Sequence, residues 1–340
     1  MLARVFLAAM ATAAMWPANT YALTIVTRGE GAQAAIADVY AQGFTALTDI
    51  PLRVESWDGG LDTLRARAAE GGWDVVQVEP DELAAGCADG TFEKLDWSAI
   101  GGKDHYQSMG ASDCGVGAAV TNMVLAWDRD KFQAVPTWAD FWDVAKIPGK
   151  RGLAKTARGA LEFALQADGV APADVYKTLG TAEGIDRAFR KLDQLKPYIV
   201  WWQTPAEAAK ILGSGDVLMT ATPSGAVAAA NRGDKRNFGV QFAGSLFEPR
   251  SWAIVKGSQN LRDATQFLYV AGSPAVQARV FRANGEIGLA KGVNDWLPAD
   301  LQALSSTSQA NVTSALRVDN AFWRENLAKL RVRFDAWLAQ

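Results

Sequence analysis

Residues 23–80 alternate between strand-like and helix-like segments, and this order constrains the fold more than any other feature of the sequence. Apolar or alternating stretches predict the strands, and apolar residues at helical spacing predict the helices. The predicted segments are strand Leu23–Val26, helix Ala32 to about Ala46, strand Pro51–Trp57, helix Leu61–Ala69 and strand Trp73–Val78. Short glycine-containing turns join them. Strands that alternate with helices in this way indicate an α/β fold with parallel strands.

The first 22 residues have the pattern of a cleavable signal peptide. Arg4 precedes the short apolar run Val5–Met15, and Thr20-Tyr21-Ala22 provides a cleavage site with small residues. The apolar run is too short to cross a bilayer, although a retained anchor is the alternative interpretation. We therefore expect export to the periplasm. Without this leader the chain still exceeds roughly 300 residues, more than one hydrophobic core usually supports, which predicts two lobes.

Composition and charge narrow the function classes. The chain carries 34 basic and 37 acidic residues, a formal net charge of −3, without a basic block or a long apolar helix, which argues against binding nucleic acid or inserting into a membrane. In an exported protein, Cys87 and Cys114 predict a disulfide, and a thiol nucleophile is the alternative. His105 is the only histidine, so we expect no metal site, and no cofactor motif is present.

Several residues follow predicted strands, at positions where α/β proteins bind ligands. The turn Thr27–Gly31 lacks the GxGxxG pattern and a P-loop lysine, so it predicts a solute contact or an ordinary turn, but not a nucleotide site. Glu79 follows strand Trp73–Val78, and Thr222 and Ser224 follow strand Val217–Ala221. Arg250 lies in a predicted turn, Glu248-Pro249-Arg250. An arginine there predicts a contact with a carboxylate, phosphonate or similar anion; the alternative is a hinge salt bridge, for example with Glu248.

Nearly all of the chain after the leader resembles periplasmic solute-binding proteins of ABC importers, of the spermidine/putrescine-binding type. The order and spacing of several segments carry the resemblance. These segments are WDVVQVEPDELAAGC, EKLDW, DCGVGAAVTNMVLAWD, PTWADFWDV, SGDVLMTATPSGAVAAAN and the C-terminal NAFWRENLAKLRVRFDAWLAQ.

The resemblance implies an α/β, two-lobe fold of the periplasmic binding protein type (type II-like). Each lobe would be a mixed sheet flanked by helices, and crossover hinge strands would join the two. We expect lobe 1 over residues 23–127 plus about 251–306, and lobe 2 over residues 128–250 plus about 307–340. Lobe closure on a small-molecule ligand, followed by delivery to an ABC permease in the inner membrane, would be the function of a monomeric, non-enzymatic receptor.

The resemblance also implies ligand positions, some of which depart from the polyamine pattern. It places contacts near Arg28, Gly29, Glu30, Gln77, Glu79, Thr156, Gly159, Thr222, Glu248, Arg250 and Glu286. Arg28 or a glycine stands where polyamine binders carry an aromatic residue, Thr156 and Gly159 replace an acidic pair, and Arg250 replaces an acid.

We therefore assign predicted roles within this set. Arg28 and Arg250 are predicted anion contacts, Glu30 and Glu79 are amine or hydroxyl acceptors, and Thr222 and Ser224 are neutral donors. The family indicates a polyamine, whereas these residues indicate a ligand with an anionic group. A secreted α/β enzyme acting on a small anionic substrate and a chaperone-like periplasmic protein are the alternative functions.

Overall fold

A computed structural model of the chain describes residues 22–28, 36–233 and 236–340. Within these residues nine strands form one hydrogen-bonded sheet in the order β2-β1-β3-β8-β4-β7-β5-β6, with β9 beside β8. The strands are β1 (Leu23–Arg28), β2 (Leu52–Trp57), β3 (Val75–Val78), β4 (Val116–Asp128), β5 (Arg151–Ala154), β6 (Ile199–Trp202), β7 (Met219–Pro223), β8 (Phe238–Ile254) and β9 (Leu316–Arg317).

Helices cover the sheet on both faces. They are α1 (residues 36–48, with a π-helical turn at Ala41–Thr45), α2 (Leu61–Glu70), α3 (Pro80–Ala88), α4 (Trp138–Trp142), α5 (Ala157–Ala167), α6 (Val175–Leu179), α7 (Ala182–Leu195), α8 (Pro205–Ser214), α9 (Ser224–Gly233), α10 (Leu261–Ala271), α11 (Pro274–Asn284), α12 (Ala299–Gln302), α13 (Gln309–Ser314) and α14 (Asn320–Leu338). Short 3₁₀ turns lie at Lys103–His105, Ser108–Gly110, Pro172–Asp174, Lys196–Tyr198 and Val293–Trp296. None of the helices in the described part of the chain is long and apolar enough to cross a membrane.

Two long antiparallel strands connect the halves of the sheet. β4 pairs with β8 from Val116↔Trp252 to Asp128↔Phe238, with register shifts at two points. On one side, β1, β2 and β3 run parallel to one another and β3 joins β8; on the other side, β5, β6 and β7 run parallel and β7 joins β4. This is the predicted mixed α/β architecture with crossover strands. The exact lobe boundaries stay a prediction.

The hydrophobic core is divided in the same way as the sheet. Around β1 and β3, Tyr40, Trp252 and Phe267 meet edge to face, with ring centroids 5.2–6.0 Å apart. A separate cluster packs α4, α5, α7 and α14 together and includes Phe163 and Trp323. Two apolar cores of this size are what a chain beyond about 300 residues requires.

The disulfide predicted from the sequence is confirmed. Cys87 lies in the last turn of α3 and is bonded to Cys114, two residues before β4, with 5.8 Å between the Cα atoms. The bridge fixes the C-terminal end of α3 against the start of the crossover strand. The N-terminal end of the same helix lies at the candidate site described below.

The turn predicted at Glu248-Pro249-Arg250, between strands Phe238–Phe242 and Ser251–Val255, is wrong. All three residues belong to the continuous 17-residue strand β8. Pro249 is paired with Val120, whose N–H donates to the Ile287 carbonyl instead of to β8. In such a non-hydrogen-bonded antiparallel pair, the N–H groups of both residues point away from the partner strand. The missing N–H of Pro249 would therefore point to the opposite edge of β8. On that edge β9 pairs with Leu246 and Phe247 and β3 pairs from Ser251 onward, so no strand faces Pro249 and no ladder hydrogen bond is lost.

Candidate functional site

Charged side chains from both halves of the molecule converge where β1 and β3 end, where α5 begins and along the middle of β8. Three guanidinium groups and four carboxylates make up this group, which we call the ionic cluster: Arg28, Glu79, Glu82, Arg158, Glu248, Arg250 and Glu286. The carboxyl ends of parallel strands are the usual binding edge of an open α/β sheet. Five of the seven residues were predicted site residues; Glu82 and Arg158 were not.

Arg28 is the last residue of β1, and its side chain is held by two carboxylates. Its Nε lies 2.9 Å from Glu79 Oε1, and its Nη1 lies 2.6 Å from Glu82 Oε2. Glu82 also accepts the backbone N–H groups of Gly60 (2.8 Å) and Glu79 (3.0 Å). Burial lowers the pKa of Arg28, but the two glutamates outweigh it and the pKa is raised. Arg28 is thus permanently charged and already paired.

The space for the Arg28 guanidinium is provided by Gly59. This glycine has a φ of +95°, and a Cβ at this position would overlap the guanidinium group. Trp57 lies on another side, with its ring centroid 5.6 Å from Arg28 Cζ. Trp57 therefore contacts the Arg28 guanidinium from this side.

Glu79 is the N-cap residue of α3, and charged residues from both halves of the molecule affect its pKa. Burial and the nearby charge of Glu248 raise the pKa of Glu79 to about 7, although Arg28, Arg158 and Arg250 act in the opposite direction. A carboxyl group with this pKa exchanges a proton near neutral pH. It is a suitable acceptor for an amine, because an approaching ammonium favours the ionised form.

Arg158 projects from a break at the start of α5. Arg158 (φ −66°, ψ 124°) and Gly159 (φ +94°, ψ −52°) are not helical, so the chain turns sharply before the regular helix begins. Arg158 Nη2 donates to Glu248 Oε1 at 2.6 Å and to Asn320 Oδ1 at 2.9 Å. Contacts were predicted at Thr156 and Gly159, but not at the arginine between them. No local signal in the sequence identifies Arg158.

Arg250, two residues after Glu248 in β8, forms a looser pair with Glu286. Arg250 Nη1 lies 3.5 Å from Glu286 Oε1, and Arg250 Nε is buried without a hydrogen-bond partner among the described residues. Burial raises the pKa of Glu286, against the effect of Arg250. The alternative interpretation, a salt bridge of Arg250 within the protein, is seen here with Glu286 as the partner; Glu248, the partner named as an example, is paired with Arg158.

The other predicted contacts lie in different surroundings. The Gln77 side-chain oxygen accepts the Arg28 N–H at 3.1 Å, and Ser224 donates to Asn122 Oδ1 at 2.8 Å. Thr222 is fully buried, and its hydroxyl has no partner among the described residues. Thr156 is exposed at the start of α5. Gly29 and Glu30 lie outside the described residues, so their roles stay predictions.

A cavity of about 640 Å³ lies on the other side of β8 from this cluster. Pro249 and Ser251 line it together with Leu83 and Arg317. Because side chains alternate along a strand, Pro249 and Ser251 point away from the face that carries Glu248 and Arg250. The cavity is therefore distinct from the ionic cluster. In the described part of the chain no group of three His, Cys, Asp or Glu side chains is placed to bind a metal ion.

Comparisons with known proteins agree with this architecture. Residues 39–307 match the family model of bacterial extracellular solute-binding proteins. The chain is 39% identical over 341 aligned positions to a gamma-aminobutyric acid-binding protein of Pseudomonas aeruginosa, and the alignment covers 99% of this chain and 96% of that protein.

Two solved structures are similar across almost the whole chain. The Atu4243 GABA receptor superposes with a TM-score of 0.78 at 27% identity, covering 94% of this chain and 98% of that one. The spermidine/putrescine substrate-binding protein PotD of Streptococcus pneumoniae has a TM-score of 0.74 at 16% identity, covering 94% and 100%; at this identity the likeness shows the fold alone. The predicted two-lobe binding-protein fold and the resemblance to substrate-binding proteins of ABC importers are confirmed. The chain belongs to the bacterial extracellular solute-binding protein family, and it is a substrate-binding component of an ABC transporter and not an enzyme.

Proposed function

We propose that this protein binds a small zwitterion with one amine and one carboxylate, of the gamma-aminobutyric acid (GABA) type, in the ionic cluster. The two lobes close on the ligand, and the monomeric protein delivers it from the periplasm to an inner-membrane permease. Residues 1–22 serve as the signal peptide for export. Hinge closure requires ligand contacts from both halves, and the cluster draws on both.

The observation that carries this proposal is the pairing of each arginine in the cluster with a carboxylate. Arg28 is paired with Glu79 and Glu82, Arg158 with Glu248, and Arg250 with Glu286. A zwitterion can insert into one such pair: its amine then binds the glutamate in place of the guanidinium, and its carboxylate binds the arginine in place of the glutamate. Every buried charge then keeps a partner, which avoids the large penalty of an unpaired buried ion.

A polyamine fits this arrangement less well. At Arg158 or Arg250, an amine would take away the one carboxylate of the arginine's ion pair and leave a buried guanidinium without that counter-ion, at a cost of several kcal/mol. Among the described residues, three guanidiniums and four carboxylates give the cluster a net charge of −1, too small for a ligand with two to four positive charges. The relatives named as GABA-binding support the same ligand class.

A thermal-shift screen tests the proposal. Purified mature protein is melted with GABA, 3-aminopropanoate, 5-aminopentanoate, butanoate, putrescine and spermidine. A ligand present at about 100 times its dissociation constant stabilises the protein by roughly 2.7 kcal/mol, which is a clear shift. We expect shifts with the amino acids and none with butanoate, which carries only the anionic group.

Two variants give the screen its control. Arg250→Ala removes one guanidinium of the cluster and should weaken the amino-acid shifts. Arg187→Ala removes an arginine that is also paired with a carboxylate, Asp168 at 2.6 Å, but lies outside the cluster. This control should leave the shifts unchanged. The proposal fails if only putrescine or spermidine shifts the melt and Arg250→Ala leaves that binding intact.

A further inference from the structure

The three arginines of the ionic cluster differ in how much of each is free for a ligand. The Arg28 and Arg250 side chains are 14% and 15% exposed, whereas that of Arg158 is 28% exposed. Arg28 uses both Nε and Nη1 for its ion pairs. Both hydrogen bonds of Arg158 to described residues use Nη2. Its Nε and Nη1 groups therefore remain for an incoming carboxylate, and they belong to the most exposed of the three side chains, whereas the unpartnered Nε of Arg250 is buried.

A fully buried carboxylate, Glu162, fixes the chain turn that presents Arg158. Glu162 Oε2 accepts the N–H of Gly159 at 2.8 Å, the residue with φ +94° that directly follows Arg158. Its Oε1 accepts Tyr176 Oη at 3.0 Å and Trp323 Nε1 at 2.7 Å. Burial raises the pKa of Glu162, and these hydrogen bonds act to lower it. The turn is thus bonded to α6 and to the first turn of α14.

Asn320, the first residue of α14, reaches Arg158 directly. Its Oδ1 accepts Arg158 Nη2 at 2.9 Å, and its side chain is almost fully buried. Asp319 caps the helix by accepting the N–H of Phe322 at 2.9 Å, which sets the position of Asn320. Because Asn320 is uncharged, it holds the guanidinium in place without adding a second negative charge to that of Glu248.

We propose that Arg158 is the contact for the ligand carboxylate, and that Asn320 and Glu162 are positioning residues through which α14 sets the preference for a zwitterion over a diamine. This inference rests on the proposed function and adds residues to it. Without Asn320, the guanidinium would turn fully towards Glu248. Without Arg158, Glu248 would be a free carboxylate and the site would favour a second amine.

A double-mutant cycle read out by calorimetric titration tests the proposal. Arg158→Ala should weaken GABA binding by about 100-fold, and Asn320→Ala by about 10-fold, because each removes a hydrogen bond to a charged group. If Asn320 acts through Arg158, adding Asn320→Ala to Arg158→Ala should change the affinity by less than about twofold. The ratio of putrescine to GABA affinity should rise in both single variants, which a general loss of structure would not produce.

Conservative variants test the same idea from the other direction. Asn320→Asp keeps the acceptor but adds a second carboxylate beside Arg158, so it should weaken GABA binding by about 10-fold, as Asn320→Ala does. Asn326→Ala is the matched control, because Asn326 lies in the same helix and its side chain donates to the Phe322 carbonyl, outside the ionic cluster. Glu162 is too deeply buried for truncation, so its role is tested with Trp323→Phe, which removes one donor and should weaken GABA binding about threefold.

The outcomes separate this inference from the proposed function. If the unmodified protein binds none of the zwitterions, the proposed function fails and the role of Arg158 with it. If GABA binds but Arg158→Ala leaves its affinity unchanged, or Asn320→Ala weakens it equally in both backgrounds, only the positioning proposal is overturned. Thermal unfolding of each variant without ligand checks that the protein used in the titration is folded.

Discussion

Two sides of the ionic cluster hold an arginine in different ways. Arg28 is surrounded by residues of the first α/β units, no more than 54 positions away: Gly59 in the turn before α2, and Glu79 and Glu82 at the start of α3. Arg158 depends on Glu248 and Asn320, which are 90 and 162 positions away. The first is part of one local unit, and the second joins three distant segments.

This difference teaches which side is rigid and which side can respond to a ligand. Arg28 has two carboxylates and a tight steric fit, so its side of the cluster is a preformed, neutralised frame. Arg158 has a single carboxylate on the crossover strand and a neutral acceptor on α14. Movement of α14 or of β8 therefore alters the Arg158 side, whereas the Arg28 side moves as one body with its half of the molecule.

The largest effect should come from breaking the rigid side. Glu82→Ala removes the acceptor of Arg28 Nη1 and of two backbone N–H groups, and it leaves a buried guanidinium partly unpaired. We expect a loss of about 3–5 kcal/mol in the free energy of unfolding, measured with urea. Glu70→Ala, at an exposed pair with Arg67, is the control and should change little. A loss below about 1 kcal/mol for Glu82→Ala would contradict the rigid-frame description.

The second prediction concerns the disulfide that anchors α3, the helix that carries Glu79 and Glu82. Loop-closure entropy for the 27-residue separation predicts that the Cys87→Ala/Cys114→Ala variant is destabilised by roughly 3–4 kcal/mol. Alkylation with and without reductant, followed by mass measurement, checks the bond itself. Two free thiols in oxidised periplasmic material would show that the bridge is not formed.

The smallest of the three effects is a pH dependence that arises from Glu79. The pKa of Glu79 is raised to about 7 in the folded protein, so the folded state binds the proton more tightly than the unfolded state. The corresponding stability is present below the unfolded-state pKa and is lost as the pH rises through about 7. Between about pH 5 and pH 8 the unfolding free energy should fall by on the order of 2–3 kcal/mol relative to Glu79→Gln. Parallel pH profiles of the two proteins would contradict the shift.

Much of the fold follows from local patterns in the sequence. The apolar period of the β1–β3 region is a property of short segments, and the strands β1, β2 and β3 and helix α2 lie within a few residues of the predicted bounds. Pro249 shows the limit of this reasoning. A proline between polar residues is typical of a turn, but the partners of β8, distant in the chain, leave its missing N–H without consequence.

The site could be predicted only where its contacts are local. Glu79 was predicted because it ends an apolar strand, and the Glu79-x-x-Glu82 spacing, typical of a helix start, could have revealed Glu82 as well. Arg158 could not be inferred from neighbouring residues. Its position depends on a positive φ at Gly159 and on partners in β8 and α14, which only the tertiary structure brings together.

The most direct test of the central claim is a calorimetric titration of the unmodified mature protein with GABA and, separately, with putrescine at neutral pH. We predict binding of one GABA molecule per protein with an affinity at least about 100-fold higher than that for putrescine, a difference of about 2.7 kcal/mol. Equal or tighter binding of putrescine would contradict the zwitterion account and would restore the polyamine interpretation of this family resemblance.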